Sequence, residues 1–228
     1  MNSRRIVLTI GIFLGFSCLN NNNENLVKAA SLGNFEEIRK MLNKGAQPDF
    51  RDATGKTPLQ ILLSLPDISQ KNFEMESILI EFIQHGADIN QMDAKGNTAL
   101  FYAIESGNYD LTRSLVHHGA NVNHRNQNLH TPLFKAVGFT HRPGIEISGM
   151  DLVRILYQAG GDIFLKDKEG KNLMHSSRDP MITAWLMEKG LSPKLRDNYG
   201  KTPLDYFTSE IFKARDSIAE KSSEKNKN

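Results

Sequence analysis

Two short landmarks recur along the chain in one shared register, and this repetition constrains the fold more than any other feature. Both series advance by the same uneven steps, since the interval from 45 to 86 equals that from 57 to 98 and each later interval also agrees. Units of this size are too short to bury their apolar residues alone, so they must stack on one another. The first landmark, Thr-X-Leu, begins at Thr57, Thr98, Thr131 and Thr202, with a degenerate copy at Asn172; the second is a glycine, at Gly45, Gly86, Gly119, Gly160 and Gly190.

Residues 96–123 show what one unit contains. We predict that Thr98 caps a first helix over Ala99–Ser106, and that a left-handed Gly107 ends this helix. A second helix follows and stops at Gly119. Both helices are too short to be stable without neighbours, so their apolar faces must pack against adjacent units. The second helix presents an apolar face formed by Leu111, Leu115 and Val116.

These units resemble the ankyrin repeat, which is a β-turn plus two helices with a Thr-Pro-Leu-His opening and a period of about 33 residues. The resemblance covers residues 25–220. It rests on Gly-Lys-Thr-Pro-Leu at Gly55 and Gly200, and on His-Gly-Ala-Asp-Ile-Asn at His85 and His-Gly-Ala-Asn-Val-Asn at His118. It implies an all-α solenoid of helix-turn-helix units joined by β-hairpin-like loops. It also implies a non-enzymatic scaffold, without a cofactor, that binds a protein partner through its hairpin tips and inner helices.

The chain departs from the family pattern in three ways. Leu129 occupies the turn-glycine position of the fourth unit, so we expect a distorted hairpin over 126–130. Two units carry eight extra residues each, around 66–73 and 141–149, which we expect to be loops. These insertions are either tolerated decoration or a second binding surface. The histidine of the opening is retained only as His175 and is replaced elsewhere by Gln60, Phe101, Phe134 and Asp205.

The segment over 1–18 differs in composition from the rest of the chain. Arg4 and Arg5 precede an apolar run over 6–16, which is too short to span a bilayer but suits a signal-peptide core. The only cysteine, Cys18, follows, and this arrangement resembles a bacterial lipoprotein signal in which the cysteine is lipidated. The leucine usual three positions before the cysteine is Gly15 here. A plain signal peptide and a non-exported N-terminus are the alternatives.

The remaining chain divides by composition. Residues 19–25 are rich in asparagine and are expected to form a polar tether, and residues 222–228 a disordered tail. Between them, residues 26–221 are expected to form about six repeats including caps. The first cap is expected to pair helices over 26–32 and 35–43, and the last to turn Leu204, Phe207 and Ile211 inward.

Lipidation of Cys18 would hold a monomeric protein at a membrane of the cell envelope, in the periplasm or at the outer membrane. The alternative is a secreted factor that acts on a host protein.

Lysine and arginine recur at the hairpins, although the net charge of the chain is only +2. That balance argues against a dedicated nucleic-acid binder. Two aligned positions per hairpin form a basic double row, which we expect to attract an acidic partner surface. Alternatively, each cation neutralises the neighbouring turn aspartate. These aspartates recur once per unit, which predicts that they hydrogen-bond the hairpin backbone. The predicted partner-binding residues are Arg51, Lys56, Met92, Lys95, Asn97, Arg125, His130, Lys166, Lys171, Arg196 and Lys201.

Catalytic and metal-binding patterns are absent from the sequence. It contains no His-Glu-X-X-His pattern, paired cysteines or glycine-rich phosphate loop, so no small-molecule substrate or metal is expected. His117 and His118 are adjacent on a helix and point about 100° apart, which disfavours one shared ion. Histidines at helix ends are the simpler interpretation. Trp185 is either an exposed anchor or, as we favour, a packing residue between repeats.

Overall fold

The computed structural model describes residues 21–66, 72–139 and 148–206. Cys18, Phe207, Ile211, the tail over 222–228 and the centres of both insertions lie outside the described residues. Within the described ranges the regular elements are all helical, and no helix there has the length and apolar character needed to cross a membrane. The helices are α1 (21–31), α2 (Phe35–Asn43), α3 (Pro58–Leu63), α4 (Asn72–Gln84), α5 (Ala99–Ser106), α6 (Tyr109–His117), α7 (Pro132–Val137), α8 (Gly149–Gln158), α9 (Leu173–Ser176), α10 (Pro180–Glu188) and α11 (203–206).

The chain forms two compact units that divide after Gln127. Unit 1 contains α1 to α6, and its helices stack in two layers. First helices α3 and α5 pack together, while second helices α2, α4 and α6 pack in that order. The centre of this core is α4, where Ile78, Leu79 and Phe82 are completely buried. Helices this short depend on such packing for their stability.

Unit 2 contains α7 to α11 and repeats the layered arrangement. First helices α7 and α9 pack together, and second helix α10 packs on α8. Leu152 and Leu156 of α8 and Leu186 of α10 are completely buried. Trp185 lies partly buried against Tyr157 of α8, with ring centroids 5.0 Å apart, which supports the packing interpretation of this tryptophan. The predicted all-α fold of stacked helix pairs is confirmed.

The glycines behave as the repeat predicts. Gly107 ends α5 with φ 71°, and the five glycines after the second helices also have positive φ. Leu129 has φ 58°, so this leucine adopts the left-handed conformation that glycine adopts in the other hairpins. The hairpin over 126–130 therefore keeps its turn conformation at Leu129, at the cost of strain in a residue with a Cβ atom.

The predicted cap at Thr98 is wrong. Thr98 precedes α5, but its side chain makes no capping hydrogen bond, and its buried hydroxyl has no partner among the described residues. The Phe101 N–H donates instead to the Thr98 carbonyl, at 3.1 Å. Thr57, by contrast, forms a reciprocal capping box with Gln60 at the start of α3. On the predicted apolar face of α6, Leu111 and Leu115 are buried and Val116 is half-buried, while Thr112 and Ser114 of the same helix are also buried.

The predicted tether over 19–25 is wrong for residues 21–25, which belong to α1. Their asparagine side chains explain the difference, because they bond the loop after α2. Asn23 is buried, and its side-chain oxygen accepts from the Gln47 N–H at 2.7 Å. Asn22 donates to the Lys44 carbonyl at 3.1 Å. Polar residues therefore stabilise this end of unit 1 through loop capping.

Two further predictions need correction at element ends. The prediction of loops throughout both insertions is inexact, because α4 begins at Asn72 and α8 begins at Gly149, where Ser148 forms a capping box. The predicted inward orientation of Leu204 is wrong, since 67% of its surface is exposed. In α11 the described buried residue is Pro203.

Candidate functional site: the hairpin edge

The hairpin edge comprises the β-hairpin-like loops that precede the first helices. A turn aspartate organises four of these loops, whereas the loop over 126–130 has Asn126 at that position. In unit 1, Asp93 Oδ1 accepts from the N–H groups of Lys95 and Asn97, both at 2.8 Å. The Asp93 N–H also donates to the Asn97 carbonyl at 2.9 Å. Equivalent backbone bonds form at Asp52, Asp167 and Asp197, confirming the predicted role of these aspartates.

A tyrosine nine residues after the aspartate holds two of the hairpins against their first helices. Tyr102 donates its hydroxyl to Asp93 Oδ2 at 2.5 Å, and Tyr206 donates to Asp197 Oδ2 at 2.5 Å. Burial alone would raise the pKa of Asp93, but the hydrogen bonds from Tyr102 and the hairpin N–H groups outweigh it and lower this pKa. The pKa of Tyr102 is raised by burial and by its charged partner.

Three lysines of the predicted basic row cover these tyrosine rings. The Lys56 Nζ lies 4.7 Å from the Tyr102 ring centre in unit 1. In unit 2, Lys171 and Lys201 lie 4.7 Å and 5.4 Å from the Tyr206 ring centre. These distances allow cation–π attraction. The three charges therefore contribute to packing within the protein, in addition to any role at its surface.

Arginine at the position before the turn aspartate braces the same hairpins. Arg51 donates to the carbonyls of Gly55 and Met92 and to the side chain of Gln91. Arg196 donates to the carbonyl of Gly200 in the corresponding way. Each guanidinium therefore bonds a glycine carbonyl of its own turn rather than neutralising the adjacent aspartate.

Successive hairpins are hydrogen-bonded to one another inside each unit. In unit 1, the Gln127 N–H donates to the Lys95 carbonyl at 3.1 Å. In unit 2, the Lys168 N–H donates to the Asn128 carbonyl at 3.0 Å, and the Asn198 N–H donates to the Glu169 carbonyl at 2.9 Å. These bonds fix the spacing of neighbouring tips.

The family histidine and one of its replacements also join hairpins. Gln60 donates its amide to the carbonyls of Gln91 and Asn97, at 2.7 and 3.2 Å. His175 interacts through Nδ1 with Asn172 and through Nε2 with the Lys201 carbonyl at 3.1 Å. Both side chains cap their own helix and reach the next hairpin, so glutamine replaces histidine here without loss of the connection.

Three further histidines in the described ranges interact with protein groups. His130 stacks on Phe134 with ring centroids 5.2 Å apart, and its Nε2 lies 3.3 Å from Asp167 Oδ2. Nδ1 of His85 and of His118 lies 2.9 and 2.8 Å from the carbonyl four residues earlier, as expected at helix ends. No group of metal-binding side chains occurs in the described ranges.

The predicted binding residues therefore divide into two classes. Lys56, Asn97, His130 and Lys171 are half-buried and packed within a unit. The exposed members are Arg51, Met92, Lys95, Arg125, Lys166, Arg196 and Lys201. Sequence reasoning missed three exposed apolar side chains near the hairpins of unit 2: Phe164, Leu195 and Tyr199.

Comparison with known proteins identifies the repeat. Residues 65–147 match the family model for ankyrin repeats in three copies. Over 93 residues the chain is 32% identical to the potassium channel AKT2/3 of Arabidopsis thaliana, covering 41% of this chain and 11% of the channel. Over 71 residues it is 37% identical to a putative ankyrin repeat protein of Rickettsia felis, covering 31% of this chain and 30% of that protein. The chain thus spans less than a third of the length of either relative, and its all-α fold is of the ankyrin-repeat type.

Proposed function

We propose that this ankyrin-repeat protein is a non-enzymatic scaffold that binds a protein partner through its hairpin edge and first helices. Ankyrin repeats point to protein–protein interaction, and the rigidity of the hairpin edge is the observation that supports this role here. Turn aspartates fix four of the hairpins through Asp52, Asp93, Asp167 and Asp197. Backbone hydrogen bonds also join hairpins at Gln127 to Lys95, Lys168 to Asn128 and Asn198 to Glu169. A backbone fixed in this way loses little conformational freedom on binding, which favours affinity.

Charge suggests that the partner has an acidic surface. Lys95 in unit 1 and Lys168 in unit 2 are exposed at the tips of their hairpins. Attraction between these cations and an acidic partner would speed the encounter, and would weaken with salt. Lys56 and Lys171 are poorer test positions because both lie over tyrosine rings.

A charge-reversal experiment tests this surface. The full chain carrying Lys95→Glu and Lys168→Glu would be compared with wild type for capture of crosslinked partners at low salt. A matched control, Lys28→Glu with Arg154→Glu, makes the same charge change at exposed positions of α1 and α8. We expect the hairpin variant to lose partners that the wild type and the control retain. Equal capture by all three proteins would remove the hairpin edge as the binding surface.

We further propose that Cys18 is lipidated and tethers the protein in the cell envelope, with a secreted factor acting on a host protein as the second candidate. The apolar run before Cys18 and the position of this single cysteine support the tether. Mass spectrometry of the mature N-terminus separates the two. An acylated Cys18 supports the tether, whereas a secreted chain without acylation supports the second candidate.

A further inference from the structure

The loops after the second helices are clamped from repeat to repeat in unit 1. Asp49 Oδ2 accepts from the Asp88 N–H at 3.0 Å. Asn90 Oδ1 accepts from the Asn121 N–H at 2.8 Å, and Asn90 Nδ2 donates to the Gly119 carbonyl at 3.2 Å. Asp49 and Asn90 both lie four residues after the glycine that ends a second helix. This position therefore holds a polar side chain that ties one repeat to the next.

Phe164 occupies the same position in unit 2, four residues after Gly160. Its backbone is held as that of Asn90 is, because the Phe164 N–H donates to Asp162 Oδ1 at 2.8 Å and the Asn90 N–H donates to Asp88 Oδ1 at 2.9 Å. The phenylalanine ring has no acceptor for a clamp, and 63% of the residue is exposed. Phenylalanine at this position therefore lacks the bond between repeats that Asp49 and Asn90 make, and its apolar side chain is not buried.

The loop and hairpin of the Phe164 repeat and those of the next repeat carry exposed apolar and basic groups. Lys194 holds the position equivalent to Phe164 in the next stacked repeat, and the hairpins of these two repeats are joined by the bond from Asn198 to Glu169. Leu195 and Tyr199 are 40% and 66% exposed. We call the following set the Phe164 surface: Phe164, Lys168, Lys194, Leu195, Arg196 and Tyr199, which are all exposed.

The acidic side chains of these two hairpins are engaged within the protein. Asp167 and Asp197 are buried and accept hydrogen bonds from their own hairpins. Glu169 pairs with Lys171 at 2.5 Å. Asp162, which is exposed and accepts from the Phe164 N–H, is outnumbered by Lys168, Lys194 and Arg196, so the Phe164 surface has a net positive charge around its apolar side chains.

We propose that the Phe164 surface binds an acidic polypeptide segment that carries an apolar side chain, with Phe164 as the anchoring contact. The inference rests on the proposed partner-binding function and assigns it a partner chemistry. Exposed aromatic residues and arginine are typical of the side chains that dominate protein interfaces. The surrounding lysines would attract the acidic residues and orient the segment.

The test begins with the full chain and a displayed library of random peptides of about a dozen residues. We expect the wild type to enrich peptides that combine Asp or Glu with a Phe, Leu or Trp. A synthetic copy of an enriched peptide then gives Kd values by fluorescence anisotropy. We expect Phe164→Asn to raise Kd at least tenfold, and Lys194→Glu to weaken binding and reduce its salt dependence. Leu32→Gln, which removes an exposed apolar side chain from the turn after α1 and away from the hairpins, should change Kd less than twofold.

The asparagine variant also separates binding from folding. In Phe164→Asn the new side chain can bond the 190–192 loop as Asn90 bonds residues 119–121. We therefore expect its Tm to equal or exceed that of the wild type. Lost binding together with an undiminished Tm cannot be explained by unfolding.

Several results would overturn the inference. Enrichment of peptides without acidic residues, or an unchanged Kd in Phe164→Asn, contradicts it directly. Oligouridylate that displaces the peptide and itself needs Phe164 would assign the surface to RNA instead. If reversal at Lys95 and Lys168 abolishes partner capture while Phe164→Asn retains it, this inference fails and the proposed function stands. If both variants keep all binding, both fail.

Discussion

Alanine substitutions at Gly170 and Gly200 form a matched pair. Together they test whether contact between neighbouring hairpins contributes to the free energy of unfolding. Both are turn glycines of unit 2, with φ 76° and 73°. A Cβ atom at Gly200 would meet no atom of the described residues within 4 Å, whereas one at Gly170 would lie 3.1 Å from the Asn198 backbone nitrogen. Alanine therefore introduces the same backbone strain at both sites but a steric clash at only one.

The expected magnitudes follow from these contacts. Gly200→Ala should cost about 1 kcal/mol, the penalty for a left-handed residue with a Cβ atom. Gly170→Ala adds overpacking of about 1–3 kcal/mol, since the Cβ displaces Asn198 and strains its bond to the Glu169 carbonyl. We expect Gly170→Ala to cost about 2–4 kcal/mol in total, clearly more than its control.

Urea unfolding followed by Trp185 fluorescence provides the assay, because this single tryptophan lies in unit 2 between α8 and α10. Both variants should keep the wild-type m-value and differ in their midpoints. Equal losses of unfolding free energy in the two variants would refute the reasoning, since contact between hairpins would then contribute nothing.

Other predictions concern single contacts. Thr57→Val should lower the free energy of unfolding by about 1 kcal/mol, because it removes a helix cap. Thr98→Val should leave this free energy unchanged or raise it, because the Thr98 hydroxyl is buried without a partner among the described residues. Chemical denaturation distinguishes the two outcomes. The Asp93 pKa is lowered in the folded protein, so the stabilisation by this carboxylate is present at neutral pH and is lost as pH falls below about 4. Asp93→Asn should therefore be less stable at pH 7, and its free energy of unfolding should change less with pH in that acid range. An equal decline in wild type and variant below about pH 4 would contradict this. Leu129→Asn should raise the thermal midpoint, because an asparagine side chain can hydrogen-bond locally and so tolerates the left-handed conformation. Leu129→Ala, whose side chain makes no such bond, should not.

Sequence was sufficient for the frame because the frame depends on local chemistry. The bounds of α5 were predicted correctly, since an apolar run between a capping position and a left-handed glycine leaves few alternatives. The turn aspartates were predictable for the same reason, as their bonds to the hairpin backbone reach no further than four residues.

Interactions between repeats were harder to predict. At Thr98 the cap is missing because the Phe101 N–H bonds the threonine carbonyl and not its hydroxyl. The helix over 21–25 depends on asparagine side chains that bond the loop after α2, which is distant along the chain. The pairing of Tyr102 with Asp93 left a detectable signal, because the same spacing of nine residues recurs at Tyr206 and Asp197.

For Phe164, the sequence showed an unusual residue type but not its role. Alignment of the repeats places it beside Asp49 and Asn90, so the unusual residue type was visible in the sequence. Its meaning was not, because the clamp made by Asp49 and Asn90 is seen only when the loops are placed in space. Phe164 lacks the bond between repeats that Asp49 and Asn90 make, and its side chain is exposed. This difference makes Phe164 a candidate binding residue.

Site-specific photocrosslinking in living cells tests the central claim most directly. A photoreactive residue would replace Lys95 or Tyr199 at the hairpin edge, with Lys28 and Arg154 on exposed helix surfaces as controls. The account predicts crosslinks to one protein partner from the hairpin positions and none to that partner from the helix positions. Crosslinks to a common partner from Lys28 and Arg154, with none from Lys95 or Tyr199, would contradict it.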